Sequence, residues 1–295
     1  MRWSAWFLVG ALCWAAPALA YTSAGDRAFS ATLLLPQIAP TDEIYVKPFT
    51  LPQPGGAAGA ARRNTNLGTT YAKTITDRLG VSVEQTFSRV DRIGAGALTG
   101  WQNLDLEAKY MAVNDIPREF LLTLGLDRET GGTGARRVGA APSGATTPRI
   151  YFGKGAGDLE VGLLRPLALV GFAGVQLADA APRPNLVTGG IAVQYSLPYL
   201  QSKVGNFDLP WPLRAMSPVT EIVFTAPAGR SFGARATVLI APGISLAGEG
   251  WEFAVAALVP TSRATGRGVG VIAQFHLSLD FLLADSIGKP LFSEP

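Results

Sequence analysis

The stretch that most constrains the fold lies near the C-terminus, where apolar and polar residues alternate without interruption from Val271 to Phe281. Successive side chains of a β-strand point to opposite faces, so this segment has one apolar face and one largely polar face. A soluble sheet can show the same pattern. A strand of about 11 residues, however, is long enough to cross a bilayer when it is tilted. The segment therefore predicts a membrane-crossing strand, provided that the chain contains more of them.

The chain contains about twelve segments of this kind, separated by turn residues, and helical periodicity is nowhere convincing. The predicted strands are 43–50, 65–75, 81–90, 101–112, 118–129, 149–154, 164–177, 187–197, 219–225, 235–246, 251–259 and 269–282. Repeated alternating segments of this length are the sequence signature of a bacterial outer-membrane barrel. The predicted fold class is all-β, an antiparallel up-and-down transmembrane β-barrel of about 12 strands.

The strongest local support comes from two neighbouring segments and the turn between them. Residues 104–112 place apolar side chains on one face and charged side chains on the other, and residues 118–129 do the same after the turn at 114–117. A hairpin whose two strands agree in this way is a more specific signal than one alternating strand. The facing of 164–177 stays unassigned because that segment is apolar on both faces.

The connections also fit a barrel, with one exception. An even number of strands places both termini on the periplasmic side, and alternate connections should then be short. Residues 198–217 would lie on that side, yet they form a long, proline-rich connection. Either this connection is an ordinary loop resting on the rim, or its apolar residues fold back into the barrel mouth.

The predicted domain organisation follows from the two ends of the sequence. Residues 1–20 combine one Arg, an apolar run and Ala18-Leu19-Ala20, which is the pattern of a cleaved secretory signal peptide. Residues 21–42 are expected to form a periplasmic N-terminal lead-in or an extra strand. Residues 43–283 are expected to form the outer-membrane barrel, and 284–295 a C-terminal tail. The expected location is the cell outer membrane.

Composition excludes several classes of function. The only cysteine, Cys13, lies in the predicted signal peptide, so disulfides, thiol catalysis and thiolate metal sites are not expected in the mature chain. Without Arg2 the chain has 24 basic and 22 acidic residues, and this near-neutral balance does not indicate nucleic-acid binding. No cofactor and no metal site are predicted.

The alternation also predicts which side chains face the lumen, and thus a possible solute path. The set is Glu84, Asp105, Glu107, Lys109, Asp127, Glu252, Gln274, His276 and Asp280. One interpretation is a polar, acid-leaning lumen that conducts or binds a small solute. The other is that these residues only solvate the inside of the barrel and pair with one another. A one-residue bulge would reverse any of these assignments.

Catalysis is not predicted, although His276 and Asp280 lie four residues apart. A Ser–His–acid unit needs a serine within hydrogen-bond reach of the histidine, and Ser278 lies only beside it along the same strand. The one G-x-S-x-G match, Gly229-Arg-Ser-Phe-Gly233, lies between two predicted strands and not in the strand-to-helix turn of a nucleophile elbow. His276 is therefore interpreted as a lumen or core residue, and no catalytic residue is assigned.

Three segments carry a resemblance to a known group of proteins. They are Asp42-Glu-Ile-Tyr-Val-Lys-Pro-Phe-Thr, Gly100-Trp-Gln-Asn-Leu-Asp-Leu-Glu-Ala-Lys-Tyr and Gly268-Val-Gly-Val-Ile-Ala-Gln-Phe-His. In its strand layout and in the residues of these segments, the chain resembles poorly characterised proteobacterial outer-membrane proteins, similar to transporters of the phenol-degradation MetA-pathway type. The resemblance implies a single outer-membrane barrel and uptake of small organic or aromatic compounds. It carries over no catalytic or binding residue.

The sequence thus supports one main hypothesis and leaves alternatives open. The main hypothesis is an outer-membrane barrel that acts as a channel or transporter for small solutes. The alternatives are a structural or binding barrel with a plugged lumen, a soluble periplasmic β-sandwich and, least favoured, an outer-membrane lipid hydrolase. Expected partners are outer-membrane lipid, the outer-membrane assembly machinery and lipopolysaccharide, whose phosphates Arg136 and Arg137 are placed to meet.

Overall fold

A computed structural model describes residues 22–53, 62–92 and 94–292. The predicted signal peptide lies outside the described residues, as do most of the loop at 51–61 and the last three residues of the tail. Two short strands, β1 (Thr22–Ala24) and β2 (Arg27–Phe29), form a small hairpin near the N-terminus. All the other strands belong to one antiparallel sheet.

The strands of this sheet follow one another around the barrel in near-sequence order. They are β3 (Glu43–Gln53), β4 (Arg62–Thr74), β5 (Leu79–Arg92), β6 (Ala95–Trp101), β7 (Leu104–Asp115), β8 (Phe120–Thr130), β9 (Ala145–Gly155), β10 (Leu167–Ala178), β11 (Asn185–Tyr195), β12 (Met216–Ala228), β13 (Thr237–Gly248), β14 (Trp251–Pro260) and β15 (Gly270–Ser278). The sheet closes because β15 pairs with β3, β3 with β4, and β4 with β5.

The closed barrel has twelve strands, because β6 and β7 are two consecutive parts of one strand that runs beside β5. Both pair with β5, and their register differs by one residue across Gln102 and Asn103, which is the pattern of a β-bulge. All pairings between neighbours are antiparallel. The predicted fold class is confirmed, each of the twelve predicted segments overlaps a strand, and the closed sheet excludes the β-sandwich alternative.

The outer surface of the barrel is an apolar belt. Outward side chains such as Leu106 on β7, Leu124 on β8, Ile191 on β11 and Phe253 on β14 are exposed. They alternate with buried or half-buried inward side chains, as the period of two requires. A continuous apolar outer face is stable in lipid and costly in water. No helix among the described residues is long and apolar enough to cross a membrane.

The barrel has two distinct ends. We call the end where β3 begins and β15 stops the terminal end, and the opposite end the loop end. The connection from β11 to β12 lies at the terminal end and contains the short helices Leu197–Tyr199, Leu200–Val204 and Leu213–Ala215. Its first part packs over the β1–β2 hairpin, where Lys203 pairs with Asp26 at 2.6 Å. Its later apolar residues, Phe207 and Trp211, are exposed. Only the first half of this connection therefore covers the mouth of the barrel.

Residues 22–42 lie inside the barrel and form part of its core. Ala24, Phe29, Leu33, Leu35 and Ile38 are buried in one apolar cluster with inward residues of the wall. The sequence predicted a lead-in on the periplasmic side or an extra strand for this segment. The structure instead places it in the lumen, as an interior segment with a short hairpin. A twelve-stranded barrel is too wide for its own side chains to fill, and this segment fills much of the remaining space.

The interior segment also explains why the facing of 164–177 could not be assigned. On β10 the inward residues Ala168, Val170 and Phe172 belong to the buried cluster, while the outward residues Leu169 and Val175 are exposed to the membrane side. Both faces of this strand are therefore apolar, and alternation of polarity disappears. The inward side chains on this side of the barrel are apolar because they contact protein rather than water.

The last strand is shorter than the alternation predicts. It ends at Ser278, and residues Leu279–Leu282 form a helical turn. The backbone N–H of Leu279 donates to the carbonyl of Asp42 at 2.8 Å, and the Leu279 side chain is buried. The chain thus leaves the sheet where it meets the start of the barrel. As a result, Asp280 and Phe281 do not continue the two faces of the strand.

The apolar belt yields a direct stability prediction. Leu124→Arg places a charge on the outer face of β8, where it should reduce the free energy of unfolding in lipid by about 2–4 kcal/mol. Urea unfolding in phospholipid vesicles measures the change. Val269→Arg is the matched control, since Val269 is exposed just before β15 at the loop end and should cost less than about 1 kcal/mol. Equal effects of the two substitutions would contradict the assignment of the belt.

Candidate functional site

The candidate site is the lumen, and its first component is a set of polar wall side chains that bind the backbone of the interior segment. Gln194 on β11 accepts from the N–H of Ser30 at 3.0 Å and donates to its carbonyl at 2.7 Å. Gln274 on β15 donates to the carbonyl of Thr32 at 3.0 Å. These amides pair with main-chain groups that would otherwise be buried without partners. The wall therefore supplies hydrogen-bond partners to the backbone of the interior segment, which is not part of a β-sheet at this point.

Two buried glutamates hold the next part of the segment. The carboxylate of Glu221 on β12 accepts from three successive backbone N–H groups, those of Leu33, Leu34 and Leu35, at 2.6, 2.9 and 3.0 Å. Glu252 on β14 accepts from the N–H of Ala31 at 3.0 Å and also from the hydroxyl of Ser245. Both glutamate residues are at most 1% exposed. Charge-assisted hydrogen bonds of this kind offset the loss of hydration of a buried carboxylate.

The β1–β2 hairpin is held at the terminal end by a buried arginine. Arg27 is 0% exposed and its Nε donates to Glu119 at 2.8 Å, while its guanidinium lies 3.7 Å from the ring centroid of Tyr199. The same guanidinium donates to the carbonyls of Arg165 and Pro166. Three connections at the terminal end therefore contact the side chain of Arg27. They are the connections that contain Glu119, Arg165 and Tyr199.

The phenol of Tyr199 completes this cluster. Its hydroxyl donates to Glu119 at 2.8 Å. Partial burial, together with that hydrogen bond, raises the pKa of Tyr199 above its usual value. The phenol therefore stays protonated and keeps donating at physiological pH. Glu119 in this way binds both the arginine of the hairpin and the tyrosine of the connection that covers it.

The second component is an open chamber toward the loop end, on the side of the lumen that the interior segment leaves free. Its volume is about 310 Å³. It is lined by Leu34, Pro36, Tyr45, Lys47, Thr70, Ser82, Glu84, Asp105, Glu107, Asp127, Glu129, Ala145, Thr147, Arg149 and Gln176. Five of these side chains are carboxylates and two are cationic, so the chamber is acidic. Leu34 and Pro36 belong to the interior segment, which therefore forms one side of the chamber.

The carboxylates of the chamber face one another across neighbouring strands. Asp105 on β7 is paired in register with Glu84 on β5 and with Glu129 on β8, and Glu107 is paired with Asp127. Like charges directly opposite each other in a sheet are destabilising. This arrangement therefore carries a cost that the fold itself does not require.

Only part of the negative charge is balanced within the chamber. Arg149 on β9 pairs with Glu107 at 3.3 Å and with Asp127 at 3.1 Å. Lys109 pairs with Glu107 at 3.0 Å. Within the described residues, Asp105 has no hydrogen-bond or ion-pair partner, and Glu84 is bonded only to the hydroxyls of Thr70 and Thr86. Neither of these two acids is therefore paired with a cation within the described residues.

A narrow passage continues from the chamber toward the terminal end. It is a space of about 20 Å³ that shares four lining residues with the chamber, namely Tyr45, Thr70, Ser82 and Glu107. Glu43 and Lys109 line its far part, and residues Gln37, Ala39, Pro40 and Thr41 of the interior segment form its other side. Such a space holds about one water molecule. We call this passage the constriction, because it is too narrow for a solute larger than water.

The structure separates the nine predicted lumen residues into three groups. Glu84, Asp105, Glu107 and Asp127 line the chamber, and Lys109 lines the passage beside it. Glu252, Gln274 and His276 lie in the wall behind the interior segment, where all three are buried. Asp280 lies beyond the end of β15 in the helical turn, exposed at the terminal end. Because β15 ends two residues earlier, Asp280 does not lie on the lumen face of that strand, but it lines a small space at the terminal end with Thr22 and Glu43.

His276 is part of a buried pairing. Its Nδ1 lies 3.1 Å from Oε2 of Glu43, its ring stacks on Tyr45 with 4.6 Å between centroids, and its Nε2 contacts the amide of Gln274. Ser278 is bonded instead to Asp280. Within the described residues no hydrogen bond joins Ser278 to His276, so the geometry of a Ser–His–acid unit is not formed. The described residues also contain no group of three or more side chains placed to hold a metal ion.

Several residues of the site were not identified from the sequence. Glu221, Arg27, Glu129 and Arg149 were not singled out as candidates. Glu221 carries a usable signal, since it is an inward acid between the inward apolar residues Val219 and Val223 on the same strand. A single charged residue on an otherwise apolar inward face indicates that the charge is buried against a hydrogen-bonding partner. It does not indicate a water-filled lumen. Arg27 lies in a segment without periodicity, and its partners are up to 139 residues away in sequence, so no local pattern identifies it.

Comparison with known proteins supports the fold. No protein-family model and no curated protein matches the chain. Among solved structures, it is similar to an outer membrane channel from Pseudomonas putida F1, with a TM-score of 0.52 and 13% identity over 84% of this chain and 97% of that one. It is also similar to the β domain of the Bordetella autotransporter BrkA, with a TM-score of 0.50 and 12% identity over 80% of this chain and 99% of that one. At these identities the likeness concerns the barrel fold alone.

The contact between Glu221 and the interior segment yields the second prediction. Glu221→Ala leaves three buried N–H groups without partners and should lower the free energy that holds the segment in place by roughly 3 kcal/mol. Amide hydrogen exchange at residues 33–35, followed by mass spectrometry, measures the effect as faster exchange. Glu249→Ala, in the exposed turn between β13 and β14, is the control and should leave these amides unchanged. Unchanged protection in Glu221→Ala would show that the glutamate does not hold the segment.

Proposed function

We propose that this protein is an outer-membrane channel that passes small solutes along the acidic side of its lumen. The observation that carries the proposal is the chamber of about 310 Å³, which the interior segment leaves open against β3–β5 and β7–β10. A barrel whose role was only structural would gain stability from filling this space with apolar side chains. Instead the space is lined by facing carboxylates, which cost stability and attract solute or ions from water.

An outer-membrane location is supported by two independent features. The outward face of the barrel is apolar around its circumference, and the first 20 residues of the sequence have the pattern of a cleaved export signal. The fold is similar to that of an outer membrane channel from Pseudomonas putida F1. On this proposal the terminal end faces the periplasm, and the loop end with Arg136 and Arg137 faces lipopolysaccharide.

The lining of the chamber narrows the class of solute. The resemblance to transporters of the phenol-degradation MetA-pathway type favours small organic or aromatic compounds. The chamber offers one aromatic ring, that of Tyr45, among carboxylates and hydroxyls. Carboxylates without cationic partners repel anions and interact favourably with cations. The proposed solutes are therefore small organic molecules that are cationic or rich in hydrogen-bond donors, rather than organic anions.

The interior segment favours a second candidate function, a plugged barrel without transport. The passage beyond the chamber holds about one water molecule, so the lumen is closed to solutes in this conformation. Conductance in planar lipid bilayers separates the two candidates. We expect discrete openings from the native protein and a several-fold larger, permanently open conductance when residues 22–41 are deleted. Folded, heat-modifiable barrels that stay silent in both forms would contradict transport and support the plugged barrel.

The unbalanced carboxylates predict the ion preference of the channel. Glu84→Gln combined with Asp105→Asn removes both acids that lack a cationic partner, and should lower the ratio of cation to anion permeability several-fold. The reversal potential under a gradient of potassium chloride measures this ratio. Glu249→Gln is the matched control, because it removes an exposed acid far from the chamber and should leave the reversal potential unchanged. A native channel that prefers anions would contradict the proposed solute class.

A further inference from the structure

The interior segment is held to the wall in two very different ways along its length. Residues 30–35 receive hydrogen bonds from Gln194, Glu221, Glu252 and Gln274, as described above. For residues 36–41 the described part of the structure shows no hydrogen bond from either backbone or side chain. At Asp42 the bonding resumes, because its carboxylate binds the side chains of Lys73 and Thr74. A stretch of six residues is thus suspended between two fixed points.

We propose that residues 36–41 form a movable strap that opens the constriction, while residues 29–35 stay anchored to the wall. The inference rests on the proposed channel function. The strap forms one side of the passage through Gln37, Ala39, Pro40 and Thr41, and Pro36 at its start borders the chamber. Movement of this stretch away from β4 and β5 joins the chamber to the terminal end. The anchored part does not have to leave the barrel for this to happen.

The contacts of the strap suit such a movement. An ideal Cβ placed on Gly80 would lie 2.8 Å from the Cβ of Pro40, so the strap closes directly against the wall where that wall has no side chain. Ile38 is buried over Gly153, with its Cδ1 2.6 Å from an ideal Cβ there. These are apolar contacts without directional bonds, which permit sliding. Pro36 and Pro40 restrict the backbone, so the strap moves as a short stiff piece between its two ends.

The mature chain allows a clean test by crosslinking. Its only cysteine, Cys13, lies in the predicted signal peptide. Pro40→Cys combined with Gly80→Cys places two thiols at the closing contact, where a small shift brings them to disulfide distance. Gly100→Cys combined with Ala135→Cys is the matched control, since an ideal Cβ at Gly100 lies 2.7 Å from the Cβ of Ala135, far from the passage. Gel shift and mass spectrometry confirm that each disulfide is complete.

The expected result is loss of single-channel openings when the 40–80 pair is oxidised, with recovery after dithiothreitol and no effect of oxidation on the control pair. Openings that persist with a complete 40–80 disulfide would overturn the strap and leave the channel function standing. Silence of both the native protein and the form lacking residues 22–41 would overturn the channel function, and the strap with it. The two failures are therefore distinguishable.

Hydrogen exchange of the native protein keeps the inference testable if the cysteine pair does not fold. The amides of Gln37, Ile38, Ala39 and Thr41 should exchange at least tenfold faster than those of Ala31 and residues 33–35, because only the latter are hydrogen-bonded to the wall. Equally slow exchange over 31–41 would mean that the whole segment is fixed, and would overturn the strap.

Discussion

The fold depends on how a wide barrel satisfies the backbone of a chain placed inside it. Twelve strands enclose more space than their own side chains fill, and the interior segment occupies much of it without forming a ladder with the wall. Its main-chain groups are buried and need partners, which the wall supplies through glutamate and glutamine side chains. The carboxylate of Glu221 binds three successive N–H groups, more than any other of these side chains. The packing of the apolar cluster and the shape of the remaining lumen follow from where this segment is held.

Because the segment lies to one side, the lumen is divided into a packed half and a wet half. The packed half is lined by small and apolar inward residues of β10–β15, and the wet half by the carboxylates of β5, β7 and β8. Acidic side chains are concentrated where the segment is absent, while in the packed half Glu221, Glu252 and two glutamines bind its backbone. The same segment therefore packs the core and borders the chamber, and on the proposed function it also narrows the solute path.

Sequence alternation predicted the wall well and the contents of the lumen poorly, for physical reasons. On β7 and β8 the inner face meets water, so Asp105 and Asp127 alternate with leucines and their facing could be assigned. On β10 the inner face meets Phe29 and its neighbours, so polarity no longer reports direction. Residues 30–35 have no period because their backbone bonds go to side chains more than 150 residues away. Asp280 was predicted to lie in the last strand because alternation continues past Ser278, where a contact with Asp42 ends the strand.

The position of the interior segment also has a consequence for how the molecule is assembled. The segment is joined directly to β3, the first strand of the barrel, while the side chains that bind its backbone come from β11, β12, β14 and β15. The seam that closes the sheet pairs β3 with β15. The full set of side chains that bind the segment is thus present only when β14 and β15 have been placed. Occupation of the lumen and closure of the seam thus depend on the same strands, and a barrel truncated before β14 lacks Glu252 and Gln274, two of the four side chains that bind the backbone of the segment.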